Sequence, residues 1–203
     1  MDPDKALELL KEGNKQYIEG TINDAEININ TRRKSIEEGQ SPFAVILGCS
    51  DSRVPAELVF NQGLGDLFVV RVAGNIIAAS QIGSIEFACQ NFGSRLIVVL
   101  GHSHCGAIKA TVDSLLNTPG DISPNIASIV EELLPAVRPV VEERKSDNTD
   151  QLVHQAMRAN IEQSVNGLET RSTVLSDMVN SKQIKIVGAE YCLETGVVDF
   201  YDS

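Results

Sequence analysis

The sequence predicts an α/β fold: a parallel β-sheet with flanking helices, preceded by an N-terminal helical arm and closed by a C-terminal hairpin strand. Three observations predict it. Short continuous apolar runs, rich in β-branched residues, recur along the chain, and three of them end at or beside a glycine. Longer stretches of helical character separate them, which is the alternation of a sheet built with crossover helices. The chain has 203 residues, enough for one domain over 1–203, with 1–40 as the arm and 41–203 as the α/β core.

The elements follow in order. Residues 3–19 read as an amphipathic helix, with Pro3 in the first turn and apolar Ala6, Leu9, Leu10 and Tyr17 between charges. A second, polar helix is expected over 27–39, and the two together read as an arm that packs against something else, such as another subunit. The runs at 43–47, 67–72, 95–100 and 184–189 read as strands buried on both faces, as parallel strands are. Helices are expected at 80–92, 106–117, 124–145 and 150–180. A last strand at 197–201 follows Glu194-Thr195-Gly196 and should form a hairpin with 184–189. Pro119, Gly120 and Pro124 mark one loop and residues 146–150 another, neither long enough to separate domains.

Composition narrows the function. Hydrophobic residues make up 42% and charged residues 22%, the profile of a soluble globular protein. The formal charge of −11 argues against nucleic acid or an anionic membrane as partner, since each needs a basic face. No apolar run approaches the roughly 18 residues of a membrane span. The N-terminus lacks the apolar core of a signal peptide, so a cytoplasmic protein is expected, with an exported one whose signal is absent as the alternative. Four cysteines, with no Cys-x-x-Cys pair, are too few for a disulfide scaffold.

Two segments carry chemistry: Cys49-Ser50-Asp51-Ser52-Arg53 and His102-Ser103-His104-Cys105. Each lies just past the C-terminal end of an expected buried strand, the edge at which open α/β sheets bind ligands. If the strands at 43–47 and 95–100 are neighbours, Cys49, His102 and Cys105 converge. Two thiolates and an imidazole suit one Zn²⁺ per chain, and three protein ligands leave the open fourth position of a catalytic site. Cys105 opens a helix, a setting expected to lower its thiol pKa. Asp51 can orient a zinc-bound water and Arg53 can hold Asp51; alternatively Asp51 swings round as a fourth ligand. Two thiolates should make the bound water less acidic than on a three-histidine zinc, giving an alkaline optimum. His104 is either a proton shuttle or a neighbour facing away. His154, Cys89 and Cys192 read as structural. Glycine-rich nucleotide loops are excluded, because Ala107 and Ile108 stand where a phosphate loop needs Lys and Ser or Thr.

CSDSRVPAE at 49–57 and GHSHCGAIKA at 101–110 resemble the two zinc motifs of the β-class carbonic anhydrases. The resemblance continues through 66–75, 84–88 and 188–198, while 118–180 matches only in helical character. It implies zinc on Cys49, His102 and Cys105, with Asp51 and Arg53 as the catalytic pair. The implied reaction is reversible hydration of CO₂ to bicarbonate and a proton by zinc-bound hydroxide. The implied assembly is a homo-oligomer, dimer or tetramer, with the site near the dimer interface. Gln40 and Phe68 match the plant-like subgroup, whereas Phe87 stands where that subgroup has a tyrosine. Ile46 stands where the other subgroup has a tryptophan. The substrate pocket is therefore expected to include Gln40, Val54, Phe68, Val72 and Phe87. Two other functions fit the motifs: hydrolysis of carbon disulfide or carbonyl sulfide on the same scaffold, and a non-catalytic zinc-stabilised interaction protein.

Overall fold

A computed structural model describes residues 1–21, 39–117, 122–144 and 148–201. The polar helix expected over 27–39 falls, except for its last residue, outside the described residues, as do Pro119 and Gly120 of the first expected loop.

The five expected strands are present: β1 (Ala44–Gly48), β2 (Leu67–Arg71), β3 (Leu96–His102), β4 (Lys185–Tyr191) and β5 (Val198–Phe200). They form one sheet in the order β2-β1-β3-β4-β5. All neighbours are parallel except β4 and β5, which form the expected antiparallel pair. The order reverses between β1 and β3, whose register pairs Gly48 with Leu100. Gly48 is the last residue of β1, so Cys49 leaves the sheet alongside the C-terminal end of β3, at the edge where open α/β sheets bind ligands.

The described helices are α1 (Pro3–Ile18), α2 (Ala56–Val59), α3 (Ala79–Phe92), α4 (Gly106–Leu116), α5 (Pro124–Glu143), α6 (Thr149–Thr170) and α7 (Thr173–Asn180), with a 3₁₀ turn at Ala73–Asn75. One sheet face packs Val45, Leu47, Ile97 and Val99 against residues from α3 to α7. The other packs Ala44, Ile46, Val98 and Leu100 against the thinner cover of α1 and α2. Burial of one fully enclosed leucine or isoleucine contributes about 1.5–3 kcal/mol, so these two layers dominate the stability.

Three differences from the sequence reading have physical causes. The first arm helix packs on its own chain: Ala6 and Leu10 are fully buried. Asn14 Nδ2 donates to Val59 O (3.1 Å) and Gly196 O (2.9 Å), while Asn14 Oδ1 accepts from Val198 N (2.9 Å). The single helix expected at 150–180 is two helices. Ser172 leaves the helical backbone, and its hydroxyl caps α7 by accepting from Leu175 N at 3.0 Å. β3 continues beyond Leu100, pairing Gly101 with Glu190 and His102 with Tyr191. Gly101 suits that position, since a Cβ would lie 2.6 Å from Ile161 Cδ1 and force that side chain to move. Among the described residues no helix is long and apolar enough to cross a membrane.

Candidate metal centre

The sheet brings the two motifs together. Cys49 directly follows β1, His102 is the last residue of β3, and Cys105 is the N-cap residue of α4. One ligand atom from each lies within 4.8 Å of the others, and all three residues are buried. They are the only such group of three among the described residues.

The imidazole is preset for an ion. His102 Nδ1 lies 2.8 Å from Ser103 O. A carbonyl cannot donate, so Nδ1 carries the proton and Nε2 holds the lone pair. That Nε2 is buried and has no hydrogen-bond partner. A buried acceptor without a partner is costly unless something else fills the role, and a borderline-soft cation between two thiols and an imidazole does so. The donor set therefore fits zinc.

The two thiols share charge unequally. The hydrogen bond from Cys105, assisted by His102 and the Gly74 amide, pulls the Cys49 thiol down to about 4 against the opposing effect of burial. The same bond and burial push Cys105 upward. The Ile108 and Ala107 amides at the start of α4 favour the Cys105 thiolate, as expected, against burial and the neighbouring Cys49 charge. Burial disfavours charge on His102, yet the adjoining Cys49 thiolate outweighs it and raises the imidazole.

Asp51 and Arg53 form the expected pair. Arg53 Nε donates to Asp51 Oδ1 at 2.9 Å and Nη2 to Oδ2 at 2.8 Å, while the Arg53 amide donates to Oδ1 at 3.0 Å. These bonds hold the carboxyl well below the usual carboxylate range. Oδ2 stands 3.9 Å from His102 Nε2.

Residues that sequence reasoning missed hold this loop in place. Arg71 Nε donates to Cys49 O (2.9 Å) and its Nη2 to Asp51 O (2.6 Å). An arginine closing an otherwise apolar strand, paired with Gly48 across the sheet, was the available signal. Gly74 N donates to Cys49 Sγ at 3.3 Å, from a left-handed φ of 70° that favours glycine. Asn160 Nδ2, from α6, secures that turn by donating to Gly74 O at 2.9 Å.

The expected pocket residues are spread more widely. Phe68 and Val72 pack against the core that contains Cys49 and Cys105. Phe68 and Phe87 both contact Phe92, with ring centroids 5.9 and 5.4 Å apart, and Phe87 is 51% exposed. Val54 packs in the opposite layer and its amide donates to Asp51 O at 3.0 Å. Gln40 is exposed. His104 turns to Glu194, and the two line a cavity of about 280 Å³ with Cys192, His154 and Glu190. Cys89 is buried, which pushes its thiol up to about 11. Cys192 is half-buried and donates to Glu194 at 3.2 Å.

Fold and site together define a candidate metalloprotein of the open α/β-sheet kind, with its ion site at the switch point. Comparison with known proteins narrows this class. Residues 44–198 match the family described as carbonic anhydrase. Carbonic anhydrase 2 of Mycobacterium tuberculosis is 36% identical over 197 residues, covering 96% of this chain and 91% of that protein. A carbonic anhydrase of Mycolicibacterium smegmatis is 39% identical over 199 residues, covering 98% and 93%. The structure of the β-carbonic anhydrase CcaA superposes with a TM-score of 0.77 at 27% identity, covering 97% of this chain and 95% of that one. The chain belongs to the carbonic anhydrase family, in its β class.

Proposed function

We propose that this chain is a zinc-dependent carbonic anhydrase that interconverts CO₂ and bicarbonate. The observation that carries the reading is the buried Cys49, His102 and Cys105 group, with an orphaned Nε2, beside a carboxylate clamped by arginine. The two mycobacterial relatives, each named a carbonic anhydrase, support it. Cys49 Sγ, His102 Nε2 and Cys105 Sγ would hold one zinc per chain. When bound, zinc supplies Lewis acidity that makes a water nucleophilic near neutral pH, less readily with two thiolates than with three imidazoles.

The chain's own residues do the rest. Asp51 is anionic and would accept a hydrogen bond from a water held beside the three ligand residues, directing that water's lone pair. Arg53 occupies both Asp51 oxygens, which keeps the carboxylate ionised and outside the ligand set. Phe68 and Val72, with Phe87 beyond them, supply apolar wall suited to a linear apolar substrate. Gln40 would hydrogen-bond bicarbonate, and Val54 serves the site through its amide on the Asp51 carbonyl. Four free thiols favour a reducing cytoplasmic setting. Exposed Leu58, Leu64 and Phe87, at 48%, 47% and 51%, favour a homo-oligomer that covers them.

Stopped-flow CO₂ hydration on protein of known zinc content tests the reading. Activity that rises from pH 6.5 toward 9 is expected. Sulfide release from carbonyl sulfide or carbon disulfide without CO₂ hydration would overturn it, as would bound zinc with no turnover.

A further inference from the structure

We propose that Ser103 is a positioning residue of the metal centre, clasping the turn after β4 and thereby aiming the imidazole of His102. The inference rests on the reading of His102 as a zinc ligand. A ring held by one hydrogen bond is only as fixed as its acceptor, and here the acceptor is Ser103 O, 2.8 Å from Nδ1.

The Ser103 peptide and side chain are tied down by residues about ninety positions away. Its amide donates to Tyr191 O at 2.9 Å. Its hydroxyl accepts from Leu193 N at 2.9 Å and donates to Glu194 Oε2 at 3.0 Å. Glu194 is held in turn by Cys192 Sγ and His104 Nε2. These bonds draw the Glu194 carboxyl down to about 2, Cys192 contributing most and His104 next. His104 has a left-handed φ of 55°, so the chain turns sharply just after the carbonyl that holds the ring. The hydroxyl therefore joins two chain segments at the point where the carbonyl direction is set. Nothing else in the described structure bonds to Nδ1.

Loss of the hydroxyl should free the carbonyl, widen the range of ring orientations and weaken zinc retention, since outer-shell partners of metal histidines typically contribute 10–100-fold in affinity. The test is zinc release from the zinc-loaded protein to a chromogenic chelator, with the visible spectrum of the cobalt-substituted protein as a second readout. Ser103→Ala should release zinc at least about tenfold faster and shift the cobalt bands. Ser103→Thr, which keeps the hydroxyl, should restore both. Ser172→Ala removes a similarly bonded hydroxyl whose partners, Glu86 and Leu175, belong to neither metal-ligand segment. It should lower thermal stability and leave zinc release at the wild-type rate. Glu194→Ala, at an exposed position, removes one of the two clasp partners and should speed release by about threefold.

The clasp is overturned if folded Ser103→Ala releases zinc within twofold of wild type, or if Ser172→Ala loses zinc equally fast. Should Ser103→Ala fail to fold, an unchanged rate in Glu194→Ala overturns it. Failure of wild type to bind one zinc per chain, or retention of zinc by His102→Ala, would instead refute the ligand reading beneath it.

Discussion

Arg53 grips Asp51 by both carboxylate oxygens, at 2.9 and 2.8 Å, and leaves Oδ2 3.9 Å from the unpartnered Nε2 of His102. The carboxylate thus stands beside the candidate ion site with both its oxygens held by arginine. Asp51→Asn removes the anionic acceptor and keeps the three ligands. It should retain full zinc and lose turnover by about a hundredfold, the scale of one preorganised electrostatic group. Metal analysis together with stopped-flow hydration checks this, and wild-type turnover in the variant would contradict it.

Arg71 tethers the backbone of both Cys49 and Asp51. Arg71→Ala should lower kcat/KM by about tenfold or more and speed zinc release, because two bonds from a charged donor, each worth about 1.5–3 kcal/mol, are lost. Arg71→Lys should recover part of the loss, since a single ammonium cannot reproduce the two-armed fork.

Zinc binding should release protons in a pH-dependent number. In the metal-free protein the two thiols share one proton, the bond between them favouring one thiolate and opposing the second, and zinc binding displaces that proton. His102, raised from its ordinary value, carries an extra proton at low pH that must also leave. Release should therefore be about one proton between the imidazole range and the range in which zinc-bound water ionises, rise toward two as pH falls through the imidazole range, and rise again in alkaline solution as the bound water gives up its proton. Calorimetric titrations in buffers of different ionisation enthalpy count these protons. A number that does not change with pH would contradict the assignment.

Gly101 lies against Ile161 and Met157 one residue before His102, and an added Cβ would stand 2.6 Å from Ile161 Cδ1 and 3.1 Å from Met157 Sδ. Gly101→Ala should destabilise by about 1–3 kcal/mol through overpacking. Trimming the obstacle in Gly101→Ala/Ile161→Val should recover part of that loss, a coupling that urea unfolding of the single and double variants measures.

β1 to β4 were legible through short apolar runs at their centres, and β5 through the Gly196 turn that precedes it. Their ends were less so: Gly101 reads as a stop, yet the strand passes through it because the crowding that excludes a side chain there comes from α6, more than fifty residues on. The break before Ser172 carries no proline or glycine, and its only local mark is a capping serine. The metal ligands were legible as residue types at the ends of two strands, and the Asp51–Arg53 pair through its spacing. Arg71 and Ser103 were not, because their role lies in hydrogen bonds to backbone that only the folded sheet brings close.

The central claim is that Cys49, His102 and Cys105 together hold the ion that carries turnover. The most direct measurement is zinc per chain and CO₂ hydration rate, on the same preparations of wild type, Cys49→Ala, His102→Ala and Cys105→Ala. One zinc per chain with activity in wild type, and loss of both in every variant, is the predicted result. Any of the three variants that folds, keeps its zinc and hydrates CO₂ at the wild-type rate would contradict it.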